Sequence, residues 1–346
     1  MPAPGHLFVI EMKLFHPHPL LRQRDLMTIA SAFWPRSHSS LPPSSDRLFE
    51  VEPGSHILAK CHWQSDPRNA PTLVLVHGLE GSSESEYMKG ITDRAFQAGF
   101  NVLRMNQRTC GDSELLTPTL YNSGRSGDFR LVFDELIERD NLSAIFFAGY
   151  SMGGNLILKM AGELGDQAPQ LRGVCGVCPT FDIAACVDAS SLPRNFLYRR
   201  HFVSKLKARM RRKAKTCPGI YNLKGLNEVR TLREFDDVIT APYGGYCNAD
   251  DYYFRASALR VAANIRVPTL LIAAQDDPLV PTHPFSNLEI TSNPNIRVVI
   301  SEHGGHCSFI SNDRSERFWA EARVVEFCLD CLALPKTIPQ VSQARG

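Results

Sequence analysis

The sequence predicts an α/β domain with a mostly parallel central sheet, helices on both faces and a helical lid insertion. Short, almost wholly apolar runs such as Thr72–Val76 and Leu171–Val177 alternate with segments of helical spacing such as Asp128–Arg139. Strands that are buried on both faces have this character. The alternation breaks once, over residues 183–264, which are polar, basic and helical in pattern. With 346 residues, the chain can form one large α/β domain that carries such an insertion.

The individual elements follow from their local patterns. A short helix is expected at Leu26–Phe33, and two strands are expected around the Pro53-Gly54 turn. The predicted strands are Leu48–Val51, His56–Trp63, Thr72–Val76, Asn101–Met105, Ala144–Ala148, Leu171–Val177, Thr269–Ala273 and Ile296–Ile300. The other predicted helices are Glu86–Ala98, Asp128–Arg139, Asn155–Leu164 and Arg314–Leu334.

The domain is expected to span residues 14–334, with a loose extension at 1–13 and a disordered tail at 335–346. A Pro/Ser-rich linker is expected at Ser37–Ser45. The insertion at 183–264 falls between two predicted strands, so we expect it to form a lid over the strand ends.

Composition argues against several classes of function. The net charge is +2, so we do not expect the chain to bind nucleic acid. No apolar run approaches the ~20 residues that span a bilayer. Arg22 and Arg24 precede an apolar stretch with a small-residue motif at Ala30–Ala32, but this stretch is short and begins at Asp25. We therefore expect a helix there and no signal peptide, and a cytoplasmic protein whose ten cysteines are reduced.

The run Gly149-Tyr150-Ser151-Met152-Gly153 predicts a serine nucleophile. A serine hydroxyl becomes nucleophilic when a base takes its proton, and it must protrude from the fold to reach a substrate. A sharp strand-to-helix turn achieves this, and its crowding requires glycine two residues before and two residues after the serine. A predicted strand precedes the run and a predicted helix follows it, as this turn requires. The alternative is an incidental serine in a glycine-rich turn.

Two backbone N–H groups are predicted to stabilise the oxyanion of a tetrahedral intermediate. One belongs to Met152, at the N-terminus of the following helix, where the helix dipole also helps. The other belongs to Leu79, in the glycine-containing loop His77–Gly81 that follows the third strand. His77 comes too early in the chain to be the base, and we interpret it as a residue that shapes this loop.

The acid and the base are expected after the serine, in that order and at the carboxyl ends of strands. The loop after the seventh strand offers Asp276 and Asp277, and the loop after the eighth offers His303 and His306. We favour Asp277 because it directly precedes a Pro-Leu-Val-Pro run. We favour His306 because two preceding glycines permit its close approach to the serine. Asp276 and His303 stay as the alternatives.

Metal binding is the competing interpretation of these residues, because carboxylates and imidazoles are common ligands. Two cysteine pairs, Cys175/Cys178 and Cys328/Cys331, also have ligand spacing. The first pair lies largely on a predicted strand and the second inside a predicted helix, so we interpret both as core cysteines. We therefore expect no metal and no other cofactor.

These runs together resemble the YheT-like branch of the α/β-hydrolase family. The resemblance covers roughly residues 14–332, and Gln107 and Thr109 stand where relatives more often have Phe and Gly, which leaves the shape of that loop open. It implies the α/β-hydrolase fold and carries the catalytic triad onto Ser151, Asp277 and His306. The matching runs are His77–Tyr87, Asn106–Asp112, Gly149–Asn155, Asp276–Leu279 and His303–His306, with weaker support from Leu20–Trp34 and Tyr252–Ser257.

The resemblance also implies an activity, that of an esterase, lipase or acyltransferase on short- to medium-chain acyl esters. Eukaryotic relatives include monoacylglycerol and phospholipid hydrolases and medium-chain ethyl-ester synthases. We expect a small-molecule acyl ester as substrate and hydrolysis through an acyl-enzyme, with acyl transfer to an alcohol as the alternative. A non-catalytic scaffold of this fold is a further alternative, against which the intact Ser, Asp and His argue.

A basic segment lies within the expected lid. Residues 199–215 contain nine Lys or Arg and no acid, with Phe202, Leu206 and Met210 at a spacing of four. This pattern predicts a basic amphipathic helix. It permits peripheral docking on an anionic membrane, or a solvated lid face whose apolar side covers the active site. We favour the second interpretation.

Overall fold

The computed structural model describes residues 12–36 and 41–334. Its central sheet has eight strands. The strands are β1 (Ser45–Glu52), β2 (Ser55–His62), β3 (Thr72–Val76), β4 (Asn101–Asn106), β5 (Ile145–Tyr150), β6 (Leu171–Val177), β7 (Thr269–Ala274) and β8 (Ile296–Ser301). They lie in the order β1-β2-β4-β3-β5-β6-β7-β8. Strands β3 to β8 run parallel, whereas β2 is antiparallel to β1 and β4. The predicted, mostly parallel sheet is confirmed.

The helices surround this sheet, with α2 packed on α11 and α3 packed on α4. The α-helices are α1 (Arg24–Phe33), α2 (Glu86–Gln97), α3 (Ser126–Glu138), α4 (Met152–Leu164), α5 (Ile183–Ser191), α6 (Phe196–Thr216), α7 (Leu232–Phe235), α8 (Ala241–Gly244), α9 (Ala249–Ala256), α10 (Leu288–Thr291) and α11 (Trp319–Ala333). Shorter 3₁₀ segments lie at Pro19–Leu21, Gly111–Ser113, Pro193–Asn195, Ala258–Asn264 and His283–Ser286, and a π-helical turn spans Asp236–Thr240. Within the described residues, no helix combines the length and the apolarity needed to cross a bilayer.

Two predicted helix starts were wrong by three residues or more. Helix α4 begins at Met152 and not at Asn155, because the helix follows the serine turn with no intervening loop. Helix α11 begins at Trp319 and not at Arg314. A β-bridge between Ile310 and Phe318 holds the residues that precede α11 in a loop.

The predicted extension and tail lie almost entirely outside the described residues, as does part of the predicted linker. Met12 and Lys13, which we assigned to the extension, pack on the domain. Met12 contacts the core, and the Lys13 carbonyl oxygen accepts a 2.9 Å hydrogen bond from Trp319 Nε1.

The insertion between β6 and β7 contains α5 to α9 and has apolar clusters of its own. One cluster centres on α6, with Val203, Leu206 and Met210, and another joins α5 to α9. The segment predicted as a polar helical insertion thus buries enough apolar side chain to hold its helices together.

The carboxyl ends of the central strands meet at one edge of the sheet. Val76 at the end of β3 pairs with Gly149 of β5, and Tyr150 pairs with Val177 at the end of β6. All residues of β3 and β5 are buried, as expected for strands covered on both faces. The loops that follow these strands therefore lie side by side, and the candidate site is built from them.

Candidate active site

Ser151 occupies the turn between β5 and α4. Its backbone has a φ of 53° and a ψ of −118°, which is strained for a residue with a side chain. Glycines make the turn feasible. A Cβ on Gly149 would lie 2.3 Å from the Gly153 carbonyl oxygen, and a Cβ on Gly153 would lie 2.3 Å from the Val76 carbonyl oxygen. The turn thus has the crowding that the five-residue motif predicts.

Three side chains form a continuous hydrogen-bonded chain at this turn. His306 Nε2 lies 3.0 Å from Ser151 Oγ, and His306 Nδ1 lies 2.9 Å from Asp277 Oδ2. Asp277 Oδ1 also accepts the N–H groups of Leu279 at 2.8 Å and Val280 at 3.0 Å. The Asp277 side chain is 1% exposed and that of His306 is 14% exposed. An imidazole held this way donates from Nδ1 to the carboxylate and presents Nε2 to the serine.

The alternative residues Asp276 and His303 occupy a neighbouring position. Asp276 Oδ1 accepts the Gly305 N–H at 2.9 Å, and Asp276 Oδ2 lies 3.5 Å from His303 Nδ1. Among the described residues, neither side chain forms a hydrogen bond with Ser151 or His306. Asp276 therefore supports the backbone of the histidine loop, and Asp277 contacts the imidazole.

The electrostatic surroundings of His306 favour its protonated form. Burial by itself lowers the pKa of His306, but the negative charges of Asp277 and Cys307 and the hydrogen bond to Asp277 outweigh burial and raise the pKa well above its usual value. The charged imidazolium is thus stabilised, as a base that receives a proton during reaction requires. The neutral form, which can accept that proton, becomes abundant only at higher pH.

The two residues predicted to stabilise an oxyanion lie at the same cleft as Ser151. Leu79 and Met152 both line this cleft, and within the described residues neither donates its N–H in a hydrogen bond. The Leu79 loop comes close because of Gly78, whose Cβ, if present, would lie 3.1 Å from Ser151 Cβ. Met152 is the first residue of α4, where the helix dipole favours negative charge. The arrangement suits an anionic oxygen placed beside Ser151.

His77 is buried in the loop that carries Leu79. Its Nδ1 donates to the Gly78 carbonyl oxygen at 2.8 Å, and its Nε2 accepts the Gln107 N–H at 3.2 Å. Burial lowers the pKa of His77 to about 4, so the ring is neutral at pH 7. Gln107, one of the departures from the family pattern, also donates from its side chain to the His77 carbonyl oxygen at 2.6 Å.

A buried ion pair joins the insertion to the Leu79 loop. Arg209 of α6 donates to both carboxylate oxygens of Glu80, at 2.7 and 3.1 Å, and also contacts the Thr109 carbonyl oxygen. Tyr121 donates to Glu80 Oε1 at 2.7 Å. Thr109 has a φ of 59°, a left-handed backbone that glycine adopts more freely than a residue with a side chain.

The insertion covers a largely apolar cleft above Ser151. The cleft has a volume of about 130 Å³. Phe202, Leu206 and Met210 of α6 face into it, on the apolar side that their spacing predicts. The basic side chains of α6 differ in exposure. Arg209 and Lys213 are buried, whereas the exposed ones are Arg200, Lys205, Arg211, Arg212 and Lys215.

A contact between α1 and the histidine loop has no signal in the sequence and was not predicted. The His306 N–H donates to Thr28 Oγ1 at 2.9 Å. Gly305 makes this possible, because its φ is 55° and a Cβ there would lie 2.5 Å from Thr28 Oγ1. A Cβ on Gly304 would meet the Phe309 ring at 2.6 Å. The two glycines thus make room for α1 and Phe309 around the loop that holds His306 Nε2 3.0 Å from Ser151 Oγ.

Two cysteines from separate loops also meet at His306. Cys307 Sγ lies 3.8 Å from His306 Nε2, and the Cys307 N–H points to Cys178 Sγ at 3.4 Å. Burial alone would raise the pKa of the Cys307 thiol, but the hydrogen bond with Cys178 and the charge of His306 lower it to about 6. Cys178 therefore lies against a cysteine far along the chain, and both Cys175 and Cys178 are buried in the core, as expected. The other spaced pair, Cys328 and Cys331, is also buried in the core.

Comparisons with known proteins agree with this architecture. The α/β hydrolase fold family matches residues 71–313. The Escherichia coli protein YheT, named as an esterase, is 33% identical over 77% of this chain and 79% of its own length. The Saccharomyces cerevisiae monoacylglycerol lipase is 30% identical over 72% of this chain, and medium-chain fatty acid ethyl ester synthase/esterase 2 of the same yeast is 28% identical over 74%. The chain spans 57% and 61% of the lengths of these two yeast proteins.

Solved structures show the same fold. The Pyrococcus furiosus esterase Pf2001 superposes with a TM-score of 0.55, at 16% identity, over 85% of this chain and 97% of that protein. At this identity the likeness concerns the fold alone. Because the family match covers most of the sheet and YheT aligns along most of both chains, this protein is a hydrolase that belongs to the α/β-hydrolase family, in the branch of YheT.

Proposed function

We propose that this protein hydrolyses carboxylic esters of short- to medium-chain acyl groups through an acyl-enzyme on Ser151. The observation that carries the proposal is the chain of contacts from Ser151 through His306 to Asp277, beside two backbone N–H groups without a partner among the described residues. In this proposal Ser151 is the nucleophile, His306 the general base and Asp277 the residue that orients and stabilises the imidazolium.

Acylation begins with attack on the ester carbonyl carbon. Ser151 Oγ forms the new C–O bond while its proton passes to His306 Nε2. The carbonyl oxygen becomes an oxyanion that accepts hydrogen bonds from the N–H groups of Leu79 and Met152. The tetrahedral intermediate then expels the alcohol, which receives its proton from His306, and the acyl group stays on Ser151.

Deacylation repeats these steps with water as the nucleophile. His306 takes a proton from water as the water oxygen attacks the acyl carbon, and the same N–H groups hold the second oxyanion. Collapse of that intermediate returns the proton to Ser151 Oγ and releases the carboxylic acid. Each residue is thus restored, and one water is consumed for each ester.

The cleft supports an acyl chain as the recognised group. Its lining is largely apolar, with side chains from α5, α6 and the π-helical turn as well as the sheet loops. Burying each methylene of an acyl chain there contributes about 0.8 kcal/mol. The names of the yeast relatives, a monoacylglycerol lipase and a medium-chain fatty acid ethyl ester synthase/esterase, point to the same class of substrate. We propose that the insertion acts as a lid and that its side chains set the chain-length preference.

A fluorophosphonate probe and a series of nitrophenyl esters test this proposal. We expect the probe to label the wild-type protein and the Ser286→Ala variant, which changes an exposed serine, but not the Ser151→Ala variant. Hydrolysis rates should pass through an optimum as the acyl chain lengthens. Absence of labelling in the folded wild-type protein would refute the proposal.

Acyl transfer to an alcohol is the second candidate, favoured by the name of the yeast synthase/esterase relative. It uses the same residues, with an alcohol in place of water in the second half of the reaction. Adding ethanol to the ester assay and measuring ethyl ester against free acid by mass spectrometry separates the two. A product ratio that merely follows the ethanol-to-water ratio indicates a hydrolase.

A further inference from the structure

The sulfur atoms of Cys178 and Cys307 and the imidazole of His306 converge at the active site. One ligand atom from each residue lies within 4.8 Å of the other two. Cys178 follows the end of β6, and the other two residues follow β8, so the loops of two different strands build the cluster. The reaction proposed above uses only the imidazole and leaves both thiols without a role.

The distances and the donor types suit a thiophilic divalent cation. Zn²⁺ binds cysteine sulfur at about 2.3 Å and histidine nitrogen at about 2.0–2.1 Å, so neighbouring ligands in a tetrahedral site are roughly 3.6 Å apart. The separation of 3.8 Å between Cys307 Sγ and His306 Nε2 is close to that value. Two thiolates and one imidazole leave a fourth position for water, as in open zinc sites.

The surroundings of the cluster strengthen this fit. His306 Nδ1 donates to Asp277 at 2.9 Å, and a metal-binding histidine characteristically donates its other ring N–H to a carboxylate. Cys178 and Cys307 have φ values of 44° and 61°, left-handed conformations that residues with side chains adopt rarely. Backbone strain of this kind is concentrated at functional sites.

We infer that Cys178, His306 and Cys307 form an inhibitory site for a thiophilic divalent cation such as Zn²⁺. The ion binds His306 Nε2, the atom that lies 3.0 Å from Ser151 Oγ, and so removes the base from the serine. Both sulfur atoms and His306 Nε2 bind the ion in their deprotonated forms, so any proton that they carry passes to solvent, and no bond between heavy atoms of the protein is broken. The inhibitory effect rests on the proposed function, whereas the binding itself does not.

Cobalt substitution tests the binding part without any activity measurement. Co²⁺ bound to thiolates produces sulfur-to-metal charge-transfer absorption in the near ultraviolet. We expect this absorption in the reduced full-length wild-type protein, in Ser151→Ala and in Cys247→Ser, which changes an exposed cysteine. It should be lost in Cys307→Ser and should disappear from the wild-type protein when Zn²⁺ is added.

The Cys307→Ser variant carries the test because Cys307 is partly exposed, whereas Cys178 is fully buried and its replacement can impair folding. Circular dichroism establishes that each variant is folded. A wild-type protein without the absorption, or a Cys307→Ser variant that keeps it, would overturn the inference.

Fluorophosphonate labelling tests the inhibitory part. We expect saturating Zn²⁺ to slow labelling of the wild-type protein by about 100-fold or more, as loss of a general base does, and EDTA to restore it. The labelling rate of each variant in Zn²⁺ is compared with its own metal-free labelling rate. In Cys307→Ser, Zn²⁺ should slow labelling far less than in the wild-type protein. Cobalt absorption without slower labelling would refute inhibition. A metal-free protein that is not labelled would instead refute the proposed nucleophile and leave the cobalt result standing.

Discussion

Thr28 offers a sharp test of how the catalytic histidine is positioned. Its hydroxyl accepts the His306 N–H at 2.9 Å, and it lies on α1, outside the sheet and outside the residues that line the cleft. The Thr28→Val variant keeps the shape of the side chain but leaves this N–H without its partner. An unsatisfied, partly buried donor costs about 1–3 kcal/mol. If the loop relaxes to recover that free energy, the population with His306 against the serine falls by up to about 5- to 150-fold.

The expected result is a loss of kcat of this size with KM changed little, because Thr28 does not contact the cleft. Thr28→Ser is the matched control, since it keeps the accepting oxygen and should retain most of the activity. The assay is steady-state hydrolysis of a nitrophenyl ester, with thermal unfolding measured in parallel. A valine variant with wild-type kcat would refute the reasoning, and so would a serine variant as impaired as the valine variant.

Three further predictions follow from the site. Gly153→Ala should lower the free energy of unfolding by about 1–3 kcal/mol or more, because the alanine Cβ would lie 2.3 Å from the Val76 carbonyl oxygen. Gly127→Ala, where a Cβ meets nothing within 4 Å, should be neutral or stabilising in the same urea titration. Asp277→Asn should reduce kcat on the order of 10⁴-fold. It should also move the acid limb of the pH–rate profile to lower pH, because the carboxylate raises the pKa of His306 and the neutral ring is the active form. An acid limb at the wild-type pH would contradict this. Neutralising the exposed basic residues of 199–215 should leave sedimentation with phosphatidylserine vesicles in low salt unchanged, as expected for the solvated lid face that we favour, whereas weakened binding would indicate docking on an anionic membrane.

The fold class could be predicted from the sequence because it depends on local periodicity. Runs such as Thr72–Val76 are apolar at every position, since both faces of the strand are covered, and the structure places that strand at the predicted residues. The serine turn could be recognised for the same reason. Its glycines lie within two residues of Ser151, so five consecutive residues are enough to show the crowding that requires them.

The boundaries of elements were less accurate where a tertiary contact decides them. The pattern of α11 extends back to Arg314, yet the helix begins at Trp319 because Phe318 pairs with Ile310. Likewise, the pair of aspartates after β7 could be ranked from the sequence only by their neighbours. The structure distinguishes them by distance: Asp277 contacts His306, and Asp276 holds the Gly305 N–H.

By itself, the sequence determined the fold class and the candidate chemistry, because strand and helix patterns and the serine turn involve residues close together in the chain. Only the tertiary structure decided what surrounds that chemistry. Thr28 meets His306 across 278 residues, and Arg209 meets Glu80 across 129. Such contacts follow no period along the chain, since they depend on how helices and loops pack in three dimensions. For the same reason Cys178, spaced in the sequence to pair with Cys175, lies instead against Cys307.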